Sequence, residues 1–89
     1  MSWNYRIVCT IYKGKRKFYD VREVYYTGKK PGAMTVDEIS PCGSTMEEFG
    51  RSKKMYISDL EKPVLYYDNE KDCFIEKPDW IDDINQECL

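Results

Sequence analysis

No histidine occurs anywhere in the chain. That removes the side chain most used as a general base near neutral pH and the commonest protein ligand for zinc. No apolar run approaches the ~18 residues a helix needs to cross a bilayer. The opening Met1-Ser2-Trp3-Asn4-Tyr5-Arg6 lacks the basic-then-apolar order of a secretion signal. The expected compartment is the cytoplasm, with no membrane partner. Cys9, Cys42, Cys73 and Cys88 are spaced by 33, 31 and 15 residues, too far apart for a zinc knuckle. They read as small buried or partly exposed thiols, and a reducing compartment disfavours a disulfide between them. Glycine is scarce, at five, and no Gly-x-Ser-x-Gly elbow, phosphate loop or dinucleotide-binding glycine pattern is present. Gly14-Lys15 and Gly28-Lys29 lack both the preceding glycine and the following Ser/Thr of a phosphate loop. The alternating acids Asp68, Glu70 and Asp72 lack the glycine and terminal glutamate of a calcium loop. They and the pair Asp82-Asp83 read as solvated charge. The expectation is a non-enzyme, with no catalytic residue, cofactor or metal.

What the chain does have is aromatic side chains and an uneven charge. Eight tyrosines dominate an aromatic content of 15%. Large rings give a small core much buried area, and each tyrosine hydroxyl requires a partner. With 42% hydrophobic and 34% charged residues, the 89-residue chain reads as one small globular domain. Its net charge of −2 conceals a division. Residues 1–35 carry eight Lys/Arg against two acids, a net of +6, and residues 36–89 carry six against fourteen, a net of −8. A molecule with separated charge of this kind steers toward charged partners at long range.

Period-two alternation in Tyr5-Arg6-Ile7-Val8-Cys9-Thr10-Ile11-Tyr12 predicts a strand. Lys13 to Lys17 form a turn around Gly14, and Phe18 to Thr27 form a second strand. A two-residue loop at Gly14-Lys15 would set Arg6 against Glu23, but also Ile7 against Arg22 and Cys9 against Asp20. A three-residue loop sets Tyr5 against Tyr25, Cys9 against Val21 and Ile11 against Tyr19. The second register gathers apolar residues on one face and is preferred; it leaves Glu23 opposite Ile7. A Gly/Pro turn over 27–32 leads to a third, weaker strand over Ala33 to Ile39. Pro41-Cys42-Gly43 then breaks the chain before a helix capped by Ser44, with Glu47 completing a capping box. Met46, Phe49, Tyr56, Ile57 and Leu60 recur at helical spacing and mark one buried face. Pro63 ends the helix, Val64 to Tyr67 are extended, and Cys73 to Ile75 can pair back. The fold class is α+β: an antiparallel β-meander of three strands, with a fourth as an option, and one α-helix packed on one face. Its core is Ile7, Cys9, Ile11, Val21, Met46, Phe49, Tyr56 and Leu60. Residues 1–67 form this domain, and 68–89 form an acidic C-terminal segment anchored by Trp80, with a helical turn or two from Pro78.

Five blocks in order resemble a family of small bacterial proteins to which no activity attaches. They are Trp3-Asn4-Tyr5-Arg6-Ile7, Arg22-Glu23-Val24-Tyr25-Tyr26, the turn at Gly28–Gly32, Pro41-x-Gly43-Ser/Thr-x-Glu-Glu at the helix start, and Lys62-Pro63-Val64-Leu65. The resemblance implies a curved antiparallel sheet followed by one helix, and carries no site residue. Gly50-Arg51-Ser52-Lys53-Lys54 is more polar than the middle of that family's helix, and the chain beyond about residue 68 is an addition to its pattern.

The functional expectation is protein–protein association. Tyr, Trp and Arg are favoured at interface centres, and an open sheet has edges that can pair with a client or a second copy, making a homodimer an option. The candidate interface residues are Trp3, Tyr12, Arg16, Arg22, Tyr26, Trp80, Asp82 and Asp83. A small dipolar protein without catalytic motifs also fits an inhibitor or regulator of a host complex, of the kind phages and mobile elements encode. The alternative is single-stranded nucleic acid, with Lys13, Lys15, Arg16, Lys17, Lys29 and Lys30 for phosphates and Phe18 for base stacking. Against it, lysines at a hairpin tip also serve simply to discourage edge-to-edge aggregation. Glu23 stands among apolar neighbours. Its pKa would be raised unless tyrosine hydroxyls, or an arginine such as Arg6 or Arg51, satisfy it.

Overall fold

The computed structural model of the protein describes residues 2–81. Strands β1 (Ser2–Tyr12) and β2 (Arg16–Thr27) form a long antiparallel hairpin, followed by β3 (Lys30–Met34), helix α1 (Met46–Asp59), β4 (Leu65–Asp68) and β5 (Cys73–Ile75). The fold is α+β, but the antiparallel meander of three or four strands needs correction. The sheet has five strands in the order β3-β2-β1-β4-β5. β4 lies parallel to β1, with Val8 opposite Leu65 and Ile11 opposite Asp68. The sheet curls until its edge strands β3 and β5 meet, a partly closed barrel. The parallel pair follows from the connection: α1 carries the chain back along the sheet, so the next strand re-enters in the direction of β1. The domain boundary read at residues 67/68 falls inside β4.

The hairpin register also differs from the expected one. Tyr5 faces Glu23, Ile7 faces Val21, Cys9 faces Tyr19 and Tyr12 faces Arg16. The loop has three residues, but they are Lys13–Lys15. Gly14 and Lys15 take left-handed φ values of 77° and 61°, which makes Arg16 the first residue of the returning strand. The ladder is therefore displaced by two, and the sorting of faces survives because side chains alternate with period two. β3 starts earlier than the sequence suggests. Pro31 is tolerated because β3 is an edge strand, and Thr35 N–H and Ile39 N–H continue bonding to the carbonyls of Glu23 and Val21.

Both faces of the central hairpin are covered. On one, Cys9, Val64, Tyr66 and Ile81 form a buried cluster, with Ile7, Ile11, Tyr19 and Ile75 packed against it. On the other, Val8 and Val24 are fully buried inside the curl. Met46 and Phe49 do not join the core: Met46 is 82% exposed and Phe49 37%. The reason lies in what α1 docks against. Asp59 Oδ2 accepts the backbone N–H of Tyr5 at 3.1 Å. Ser52 Oγ lies 3.3 Å from the Tyr5 hydroxyl and accepts the N–H of Cys42 at 3.2 Å. The Tyr56 ring packs edge-on against Tyr5 with centroids 5.1 Å apart. Residues 52, 56 and 59 share one helix face, and that face, not the Met46–Ile57 stripe, meets the sheet. The N-cap is Thr45, whose hydroxyl accepts from Glu48 N–H at 3.1 Å, while Glu48 Oε2 accepts from Ser44 N–H at 2.9 Å. The cap thus sits one residue later than Ser44, and Glu48 reaches back past it to the N–H of Ser44.

Candidate functional site

The most exposed large apolar side chain of a regular element is Met46, on α1, at 82%. Met46, Gly50, Lys53 and Ile57 follow one another at spacings of four, three and four, so they form one stripe along the helix. Ile57 is 53% exposed, and Phe49 flanks the stripe on the side toward the sheet. Glu47 and Lys54 flank it on the side toward solvent, and Glu47 also accepts an ion pair from Arg51 at 3.2 Å. Trp3 is a separate exposed aromatic, 42% accessible, packed edge-on against Tyr5 with centroids 5.3 Å apart. The sequence located the apolar helix residues; their exposure was not legible, because helical spacing says which residues share a face and not which face the sheet takes.

A second surface is the tip of the β1–β2 hairpin. Lys13, Lys15, Arg16, Lys17 and Phe18 are all exposed, Phe18 at 61%. Alternation places Tyr12, Arg16 and Phe18 on one face of the tip and Lys17 on the other. The ammonium groups of Lys15 and Lys17 lie 5.9 and 5.7 Å from the ring centroid of Trp80. This cation–π contact brings the acidic C-terminal segment against the basic tip. Lys29 and Lys30 belong to another place altogether: they sit at the far end of β2, roughly 40 Å of extended strand away from Lys17.

The remaining predicted residues divide between internal work and regions not described. Arg22 is buried rather than available at an interface. Its guanidinium holds Asp20 through two bonds of 3.0 and 3.1 Å and donates to the carbonyls of Thr35 and Val36 at 2.8 and 2.9 Å. It is the clamp that fastens the segment after β3. The Tyr26 hydroxyl donates to Asn4 Oδ1 at 2.8 Å and accepts from Arg6 at 2.9 Å, and Arg6 also donates to the Pro63 carbonyl. Glu23 accepts from the Tyr25 hydroxyl at 2.9 Å; that bond holds the Tyr25 pKa above its usual value. Asp82 and Asp83 lie outside the described residues.

Inside the curl, Thr10, Tyr12, Arg22, Met34, Tyr67 and Asp72 line part of a cleft of about 410 Å³. The Tyr67 hydroxyl donates to Asp72, and this bond, with some burial, pushes the Tyr67 pKa up to about 12. The Thr10 hydroxyl is buried and has no hydrogen-bond partner among the described residues. A shallower, mainly apolar cleft of about 460 Å³ lies along Tyr25, Tyr26, Thr27, Gly32 and Ala33. Burial raises the pKa of the Cys9 thiol, with opposing contributions from Tyr19 and Lys17, whereas Cys42 and Cys73 are exposed. No cluster of three or more metal-ligating side chains occurs among the described residues, and no helix among them is long and apolar enough to cross a membrane. No family model, curated protein or solved structure matches the chain.

Proposed function

We propose that this chain is a non-enzymatic binding protein that acts by protein–protein association, with α1 as its contact element. One observation carries the reading: Met46, Phe49 and Ile57, the residues patterned for burial, are left at 82%, 37% and 53% exposure by the fold. Met46 and Ile57 at the two ends of the stripe, with Phe49 beside it and charge on its flank, give exposed apolar contacts within a polar rim. Polar groups dock the other helix face to the sheet, so the stripe is free to be covered without unfolding anything. An inhibitor or regulator of a larger complex is the cellular role that fits a contact element of this size. The test is affinity capture of the tagged chain from its host lysate with nuclease present, run beside Ile57→Lys. The expected result is a stoichiometric protein captured by the parent and lost with the variant. Equal capture by both would remove α1 from the contact.

Single-stranded nucleic acid remains the second reading, favoured by an exposed Phe18 set among Lys13, Lys15, Arg16 and Lys17. Cations and one stacking ring suffice for a short contact. Lys29 and Lys30 do not extend it, since they occupy the opposite end of β2. Capture that disappears on nuclease treatment, and is abolished by reversing Lys15, Arg16 and Lys17, would place this reading first.

A further inference from the structure

We infer that α1 pairs with α1 of a second copy, antiparallel, about a two-fold axis passing between Gly50 and Lys53. The inference rests on the association reading and names its partner. The argument is self-complementarity. A two-fold axis at that point sets Met46 of one copy against Ile57 of the other, and Gly50 against Lys53, so the stripe closes on itself with the large residues at both ends. Gly50 supplies the close approach at the centre. A Cβ there would have nothing within 4 Å, so the space above it is open. Lys53 crosses beside it, with its alkyl stem along the stripe and its ammonium in water.

Charge selects the same arrangement. The first turn of α1 is acidic, with Glu47 and Glu48, and its middle is basic, with Arg51, Lys53 and Lys54. Parallel copies would set Glu47 and Glu48 beside their own counterparts. About the antiparallel axis the first turn of each copy faces residues 54–57 of the other, whose one charged residue near the stripe is Lys54, while Arg51 and Lys53 lie near the axis. Glu47 and Lys54 occupy the same flank of the stripe, seven residues and about two turns apart. Under the two-fold axis, Glu47 of each copy stands beside Lys54 of its partner, giving two equivalent ion pairs. Opposed helix dipoles add a favourable contribution of the same sign.

The contact is one face of a helix ~21 Å long, so the dimer is of the small, transient class. Sedimentation velocity over about 1 µM to 1 mM spans the affinities expected of it. The expected result is a monomer–dimer equilibrium that weakens as salt is raised. Ile57→Lys should raise the dimer Kd by about 100-fold, because the change enters the interface twice, with the far-UV circular dichroism unchanged since Ile57 is outside the core. Lys54→Glu should weaken the dimer about tenfold, and Glu47→Lys should do the same. The double variant Glu47→Lys/Lys54→Glu should recover the parent affinity, which happens only if the two positions meet across the axis. A chain that stays monomeric throughout the range, or a dimer indifferent to Ile57→Lys, would overturn the inference. A monomer whose lysate capture is still lost with Ile57→Lys would leave the association reading standing with another partner. Loss of both would end that reading too.

Discussion

Gly43 and Gly50 flank and occupy the same helix, yet alanine has opposite consequences at the two. A Cβ on Gly43 would stand 2.5 Å from Phe49 N and 2.8 Å from the Glu48 carbonyl carbon. Both are backbone atoms of the first turn of α1 and cannot rotate aside. Gly43→Ala is therefore expected to cost about 1–3 kcal/mol through displacement of the turn, read as a lowered urea midpoint with reduced helical circular dichroism. Gly50 meets open space, and alanine there should stabilise the helix by about 1 kcal/mol. At the same scale, Tyr67 and Asp72 give a pH signature. A raised tyrosine pKa means that the folded state holds the proton more tightly than the unfolded chain. The contribution of this bond is thus present below pH about 10, the ordinary tyrosine value, and is lost as pH rises toward the folded value of about 12. Tyrosinate absorbance should show Tyr67 titrating late, with Tyr25 also held up by Glu23, and Asp72→Asn should bring only the Tyr67 step back toward about 10. An unchanged titration in Asp72→Asn would mean that the carboxylate is not the cause.

α1 shows why the sequence revealed the element but not its orientation. The capping residues, the helical spacing and Pro63 together place a helix where one is found, within a few residues. Of the expected inward face Tyr56 does dock, against the Tyr5 ring, while Met46, Phe49 and Ile57 stay exposed, because apolar count is a weak guide where polar groups share the docking. The first half of β1 has β4 beside it only from Val8 onward, so Tyr5 N–H needs another acceptor, and Asp59 supplies one. A buried donor without a partner costs more than a typical hydrogen bond contributes, which lets Asp59 and Ser52 prevail over Met46 and Ile57. Asp59 also receives Lys62 at 2.9 Å, so the carboxylate joins sheet, helix and the turn before β4. Asp59→Ala should destabilise the fold by about 3 kcal/mol because it orphans the Tyr5 N–H, while Asp59→Asn, whose amide oxygen still accepts, should cost only about 1 kcal/mol. Equal losses for the two variants in chemical denaturation would show that the ion pair to Lys62, not the bond to Tyr5, is what matters. The hairpin was more legible: period-two alternation sorted its faces correctly even with the register displaced by two. The parallel β1–β4 pairing had no local signal, since it depends on where a connection of some thirty residues (35–64) returns the chain.

At the scale of the whole molecule, the division of charge along the sequence is folded back on itself. Trp80 belongs to the acidic end, yet its ring lies under Lys15 and Lys17 of the basic tip, and its neighbour Ile81 is only 2% exposed in the central cluster with Cys9, Val64 and Tyr66. The acidic segment, legible in the sequence as anchored by Trp80 with Cys73–Ile75 able to pair back, thus supplies the edge strand β5 and, in Ile81, a core residue. The burial of Ile81 was not legible, because acidic composition speaks for solvent and one side chain decides the path of a stretch whose other residues are mostly polar. The consequence is testable by trimming the chain. Ile81→Ala removes buried methyl groups from a small core and should cost about 2–4 kcal/mol. A chain ending at residue 68 loses β5 as well, leaving the hydrogen-bonding edge of β4 open and Cys9 uncovered. It should unfold at a much lower urea concentration than Ile81→Ala, and its Cys9 thiol, fully buried in the parent and expected to be protected there, should react with a thiol reagent as readily as Cys42. A trimmed chain with the parent's urea midpoint and a protected Cys9 would mean that residues 69–81 are separable from the fold, and that the cluster around Cys9 closes without Ile81.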